Sequence, residues 1–234
     1  MEAQAASAST TTTASVCAPA ADAVSLRYRV GKRALDLVVA SACLVLASPI
    51  LLVTSALVRL TTPGPALFRQ QRVGKNGRTF VLYKFRTMHN GCADGVHRDY
   101  VCKLLTEDQP PVGGQNGSYK LEADARITGI GRFLRKSSID ELPQLFNILK
   151  GEMSLVGPRP ALPWEAELFD VAYARRFIVA PGLTGLWQVS GRNRLTMRQG
   201  LDLDIEYVDH RSLALDLKIL LKTIPAVLSG TGAV

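Results

Sequence analysis

The sequence predicts a mostly α protein with a small β component, in which a membrane-embedded re-entrant helix is joined to a cytosolic domain with interfacial amphipathic helices. Three observations predict it. One long apolar run lies near the start, basic residues flank that run on both sides, and much of the remainder carries apolar residues at helical spacing.

Residues 1–25 read as a disordered tail, rich in Ala, Ser and Thr and almost uncharged, too polar and small to offset ordering entropy. The tail lacks the basic start and apolar centre of a signal peptide. Residues 26–60 follow as the membrane helix. Its core, Ala34 to Val58, holds a single charge and would extend roughly 37 Å at helical rise, enough to cross a bilayer with tilt. Two features favour re-entry over a span. Pro49 inside the run deletes a backbone hydrogen bond. Arg27, Arg29, Lys32 and Arg33 precede the run and Arg59, Arg69, Arg72, Lys75 and Arg78 follow it, whereas a span should show a one-sided basic excess. A helix that enters, breaks at Ser48-Pro49 and returns keeps both flanks cytoplasmic, with Ser48 available to satisfy freed backbone groups.

Residues 61–234 form the cytosolic domain. Thr79 to Thr87 alternates as a strand that sets Phe80, Leu82, Lys84 and Arg86 on one face. Asn90 to Ala123 is rich in Gly and Pro pairs and reads as a long loop. Ser212 to Leu228 is an amphipathic helix, packed on the core or lying on a membrane surface, and Trp164 to Phe177 reads similarly.

The net charge of +8 points to anionic partners, either lipid headgroups, phosphorylated substrates or nucleic acid. Aromatic residues are only 6% and no basic run is interleaved with stacking residues, so no nucleic-acid partner is expected. Cys17, Cys43, Cys92 and Cys102 make no disulfide framework, and the spacing of the last two with His89 and His97 matches no common zinc pattern.

Chemistry concentrates in three segments. In the first, Asp140 and Glu141 stand just ahead of Pro143. Ser138 to Glu141 fits a capping box, yet Pro143 suits a register in which Asp140 is the N-cap and two carboxylates meet free backbone donors. Capping alone and phosphate chemistry both remain open on residue types. In the second, Pro158 and Pro160 restrict the backbone around Arg159, presenting a guanidinium suited to bidentate phosphate contact. In the third, Pro181 to Asn193 carries glycines that permit close approach of a ligand, together with Arg192.

At these residues the chain resembles the monotopic phosphoglycosyl transferases, a bacterial sugar transferase family that starts exopolysaccharide, capsule and glycan assembly. The likeness runs from about Lys32 to Leu228 through KRALD, Ser48-Pro49, TTPGPALFRQQRVGKNG, YKFRTM, ITGIGRFLRKSSIDELPQLFNILKGEMSLVGPRP and PGLTGLWQVSGRN. The resemblance implies a re-entrant helix broken at Ser-Pro and a catalytic domain on the cytoplasmic face of the inner membrane. It implies that Asp140 attacks a UDP-sugar, that UMP leaves, and that polyprenol phosphate takes the phosphosugar from the aspartate. Glu141 would help hold Mg²⁺, with Arg135, Arg159 and Arg192 at the phosphates. Lys84 and Arg86 match a Lys-Phe-Arg strand near the lipid phosphate or membrane face, although a structural role suits them nearly as well. Ala125 departs from the family's proline before Arg126. No four-helix membrane extension is seen, as in the family's small form, and a homo-oligomer is compatible with the reading. The competing reading is an inactive membrane-anchored scaffold of the same fold, against which the intact Asp140, Glu141, Arg159 and Arg192 argue.

Overall fold

The computed structural model describes residues 24–89, 126–191 and 195–228. Most of the tail, the segment Asn90 to Ala123, and Arg192 lie outside the described residues. The first element, α1, spans Leu26–Thr61. Ser25 starts it by accepting from the Tyr28 amide, and extended Thr62 ends it, its amide and hydroxyl both donating to the Val58 carbonyl. The expected interruption at Ser48-Pro49 is not a helix end. Helical structure continues through it, because the Ser48 hydroxyl donates at 2.8 Å to the Val45 carbonyl that Pro49 cannot serve.

Only a narrow stripe of α1, containing Asp36, Ala40, Ala47, Thr54 and Val58, is buried. The stripe meets the remainder of the chain at both ends of the helix. Near its start, Arg33 donates to the carbonyls of Ile148 and Leu149, while Asp36 accepts from the Leu155 amide and the Ser154 hydroxyl at 3.0 Å. Near its end, Arg86 donates to the carbonyls of Thr62 and Pro63 at 2.8 and 2.6 Å. Val38, Val45, Leu46, Leu52, Val53 and Leu60 are more than half exposed, an apolar surface far beyond scattered single residues.

Strands β1 (Leu67–Val73) and β2 (Thr79–Phe85) form an antiparallel hairpin in which Phe68 faces Lys84 and Arg72 faces Phe80. Phe80 and Leu82 point into the main core, where they join Leu145, Ile148, Leu155, Tyr207 and Ile219. The open edge of β2 is closed by a side chain. Asn147, fully buried on α3 (Gln144–Lys150), accepts from the Tyr83 amide and donates to the Val81 carbonyl. Between hairpin and α3 lies α2 (Gly129–Lys136), capped by Thr128 and packed through Leu134 on Val58 and Phe85.

Strands β3 (Ser154–Val156) and β4 (Gly182–Thr184) pair in parallel. The expected helix over Trp164 to Phe177 is three pieces: α4 (Pro163–Glu167), α5 (Val171–Ala174) and a 3₁₀ turn, Arg175–Ile178. Asp170 causes the break, since its carboxylate caps the Tyr173 amide and restarts the helix there. The chain then forms α6 (Leu186–Ser190), α7 (Met197–His210) and α8 (Leu213–Leu228). Helix α8 keeps Asp216 and Ile219 inward and sets Leu213, Leu217, Leu221 and Ile224 outward beside Lys218 and Lys222.

The glycines of the Pro181 loop serve packing. A Cβ on Gly182 would lie 2.1 Å from the Gly157 amide nitrogen, and one on Gly185 would lie 2.3 Å from the Gly157 carbonyl oxygen. At these two positions the missing Cβ allows close approach of one backbone to another. Gly182→Ala should therefore cost more than about 2 kcal/mol through forced backbone shifts. Gly129→Ala, whose Cβ would meet nothing within 4 Å, should be neutral or gain up to about 1 kcal/mol. Denaturant midpoints of the two variants check the contrast.

Candidate active site

The site is assembled from β2, the end of α2 and the turn that follows. After Lys136 the chain reverses at Ser138, a non-glycine residue held at φ 57°. Such a conformation costs about 1–3 kcal/mol and persists only where its surroundings impose it. Here it throws the next three residues into a 3₁₀ turn, Ile139–Glu141. The expected capping arrangements do not form. Ser138 makes no side-chain cap, Asp140 sits inside the turn, and the N-cap of α3 is Pro143 itself, at φ −61°. Proline needs no donor there and already has helical φ, so the helix begins three residues later than the Asp140 register supposed and five later than the Ser138 register.

The turn buries Asp140 to 2% exposure and leaves the Glu141 side chain about a third exposed. Lys84 reaches across from β2. Its Nζ lies 2.7 Å from Asp140 Oδ2 and 3.4 Å from Glu141 Oε1. Arg135, at the C-terminal end of α2, donates through Nε to the Thr87 hydroxyl at 2.9 Å and acts electrostatically on both Asp140 and Lys84. The sequence-predicted Lys84, Arg135, Asp140 and Glu141 thus come together. Thr87, which orients Arg135, was missed, and its place directly after the Lys-Phe-Arg strand was the signal that could have found it.

Burial pushes the Asp140 carboxyl above the usual carboxylate range, opposed by Lys84 and reinforced by Glu141. Burial also works against the charged Lys84 amine, but the Glu141 and Asp140 carboxylates outweigh it and hold the amine above its ordinary value. A desolvated carboxylate with raised basicity, stripped of hydrating water yet held by a cation, is chemically suited to attack an electrophile.

Other candidates fall elsewhere. Arg86 does not reach the carboxylates. Strand β2 stops at Phe85, the alternation is lost, and the buried Arg86 guanidinium binds Pro63, Thr62 and Val58 carbonyls at the end of α1. These contacts are structural, the role that suited Arg86 nearly as well as a place near the lipid phosphate or the membrane face. Arg159 lies on the loop after β3, with Nη1 3.9 Å from Glu165 Oε1. Ser48 and Pro49 are in the exposed middle of α1. Among the described residues no group of three or more His, Cys, Asp and Glu could hold a metal ion.

A family model described as bacterial sugar transferase matches residues 27–230. The chain belongs to this family. The chain is 49% identical over 172 residues to the galactosyl transferase CpsE of Streptococcus agalactiae, covering 73% of this chain and 36% of CpsE. It is 42% identical over 206 residues to the exopolysaccharide production protein ExoY of Sinorhizobium fredii, covering 87% and 88% of the two chains. It is 43% identical over 211 residues to the UDP-glucose:undecaprenyl-phosphate glucose-1-phosphate transferase of Caulobacter vibrioides, covering 86% and 71%. The chain therefore spans a little over a third of CpsE but most of ExoY.

If Asp140 must be ionised to act, activity is lost as pH falls through its raised value, so the acid limb of the rate profile lies above the ordinary carboxylate range. Lys84 favours the charged carboxylate, whereas Glu141 opposes it and Arg135 assists. Lys84→Met should therefore move the acid limb to higher pH and lower the plateau. A pH profile of kcat/KM for both proteins checks the direction.

Proposed function

We propose that the protein transfers a sugar 1-phosphate from a UDP-sugar to polyprenol phosphate, through a covalent intermediate on Asp140. The observation that carries the reading is the buried Asp140 carboxylate held 2.7 Å from Lys84. Relatives named for UDP-glucose and undecaprenyl phosphate, and for exopolysaccharide production, support the donor, the acceptor and the assembly it begins.

In the first step an Asp140 oxygen attacks the sugar-bearing phosphorus. The bond from that phosphorus to the bridging oxygen breaks, UMP leaves, and an acyl phosphate carrying the sugar remains. In the second, an oxygen of polyprenol phosphate attacks the same phosphorus, the aspartyl–phosphorus bond breaks, and the Asp140 carboxylate is restored as polyprenyl-diphospho-sugar departs. Splitting the exchange this way avoids bringing two anionic phosphates and a leaving nucleotide into one transition state.

Lys84 and Arg135 oppose the charges of Asp140 and Glu141, so these groups leave the charge of an incoming diphosphate largely unmatched. Arg159 and Arg192 are the further phosphate ligands of this reading. A divalent cation fits the same need. Glu141 offers a partly exposed carboxylate beside the nucleophile, and Mg²⁺ takes one or two carboxylates together with substrate phosphates. Bound there, Mg²⁺ would supply electrostatic stabilisation of the phosphoryl oxygens.

The protein works at the cytoplasmic face of the inner membrane, with α1 re-entrant. Both ends of α1 are tied to one globular body, at Arg33 and Asp36 and again at Arg86, which supports both ends lying on one side of a bilayer. The helix is about 54 Å long at standard rise, and the ladder defect at Pro49 is where it would bend. The outward row of α8, with Lys218 and Lys222 alongside, suits the headgroup level.

Two measurements test the reading. With UDP-galactose or UDP-glucose and polyprenol phosphate in detergent, the nucleotide product should be UMP and its formation should stop in excess EDTA; release of UDP would mean glycosyl rather than phosphosugar transfer. In a background lacking native cysteines, cysteines at Ser25 and at Asn76 should both be labelled from the cytoplasmic side, and labelling of Ser25→Cys from the opposite side would establish a span.

A further inference from the structure

The loop that carries Arg159 lies against a buried ion pair that the proposed chemistry does not use. Its backbone is fastened at four successive carbonyls. Pro158 accepts from the Gly182 amide at 2.8 Å, Arg159 from Arg176 Nη2 at 2.8 Å, Pro160 from Arg72 Nη1 at 3.0 Å and Ala161 from the Val73 amide at 2.9 Å. Two of these donors are backbone groups of paired strands. The other two are arginines delivered from different elements. The prolines make side-chain donors useful here, because Pro158 and Pro160 have no N–H with which the loop could build a ladder of its own.

Of the two arginines, Arg176 is committed to the loop and to one carboxylate. Its side chain is 3% exposed, and the Nη2 that reaches the Arg159 carbonyl also lies 2.5 Å from Oδ2 of Asp204, itself 1% exposed on α7. The Phe169 ring covers the guanidinium at 5.1 Å. Burial lifts the Asp204 carboxyl to about 6, opposed by the Arg176 and Arg159 guanidinium groups. Glu165 completes the setting from the side-chain direction. Its Oε1 lies 3.9 Å from Arg159 Nη1, and its Oε2 accepts from the Leu162 amide at 2.7 Å. The Arg159 side chain, about a quarter exposed, therefore emerges from a backbone with little freedom to shift.

We propose that Arg176, locked by Asp204, is a positioning residue for the reaction: it holds the Arg159 carbonyl from behind so that the Arg159 guanidinium meets the substrate phosphate in a set orientation. The inference rests on the reading of Arg159 as a phosphate ligand. A purely structural pair would also lose stability when one partner is removed, because the other is left buried and uncompensated. The two roles differ in how they combine with loss of Arg159. A positioning pair has nothing to position once Arg159 is gone, whereas a purely structural pair weakens the protein equally in either background.

The test is a cycle of wild type, Asp204→Asn, Arg159→Ala and the double variant, each assayed for kcat/KM well below its own Tm. We expect Asp204→Asn to lower kcat/KM about 10-fold in the wild-type background, as small misplacements of a binding group do. Arg159→Ala should lower it about 10²-fold. Adding Asp204→Asn to Arg159→Ala should then change it less than 2-fold. Equal fold-losses from Asp204→Asn in both backgrounds would overturn the proposal. Activity of Arg159→Ala within a few-fold of wild type would remove Arg159 from the site and the proposal with it, while leaving the Asp140 chemistry standing. If Asp204→Asn does not fold, Arg176→Lys takes its place in the cycle, since it keeps a cation beside Asp204 without the planar fork that serves both partners.

Discussion

A carboxylate almost wholly removed from water has to be matched by a cation, and the ion pair between Asp140 and Lys84 is the constraint on which the rest of the structure depends. Removing one partner of such a pair typically costs about 3–5 kcal/mol, because the other is left buried and uncompensated. The pair therefore dictates architecture. Lys84 can reach Asp140 only if the hairpin lies against the turn after α2. That docking is held by Phe80 and Leu82 in the main core and by Asn147, which binds the free edge of β2 as a further strand would. The strained Ser138 completes the arrangement from the other side, turning Asp140 inward while leaving Glu141 open to the surface.

The same hairpin connects the site to the proposed membrane helix. One residue past β2, Arg86 holds the end of α1, two positions from the lysine that holds Asp140. At the other end of α1, Asp36 binds the β3 backbone, and Lys32 links Asp36 with Asp216 of α8. In the proposed reading, a donor from the cytoplasm and an acceptor from the bilayer must meet at one carboxylate. A helix clamped at both ends to the body that carries the carboxylate keeps that meeting point at a constant depth. The outward apolar surfaces of α1 and α8 are what such a body would present to lipid.

How much of this was legible depended on whether the information was local. The apolar run, strand β2 and amphipathic α8 follow from periodicity, and the structure contains all three. The Ser48 hydroxyl was expected to serve a backbone group freed by Pro49, and it serves the Val45 carbonyl. Asp140 and Glu141 were found as a pair, but their geometry was not. Both sequence registers assumed that a carboxylate near a helix start caps it, whereas Pro143 takes that position and Ser138 adopts a positive φ that no propensity of serine foretells. Arg86 takes the structural one of its two expected roles, because β2 ends at Phe85, two residues before the expected Thr87. The helix expected over Trp164 to Phe177 failed because the capping power of Asp170 outweighed apolar spacing. The glycines of the Pro181 loop were read for ligand approach, since the partner they pack against, Gly157, lies 25 residues before Gly182 and can be seen only in three dimensions. The Arg176–Asp204 pair was invisible for the same reason.

As the proposed nucleophile, Asp140 should carry the phosphosugar between the two steps. The direct measurement is intact-mass analysis of the purified protein after incubation with a UDP-hexose and Mg²⁺ in the absence of polyprenol phosphate, followed by peptide mapping. A mass increase of one hexose phosphate is expected, located on Asp140, absent from Asp140→Asn and discharged when polyprenol phosphate is added. An adduct on another residue, or full turnover by Asp140→Asn, would contradict it.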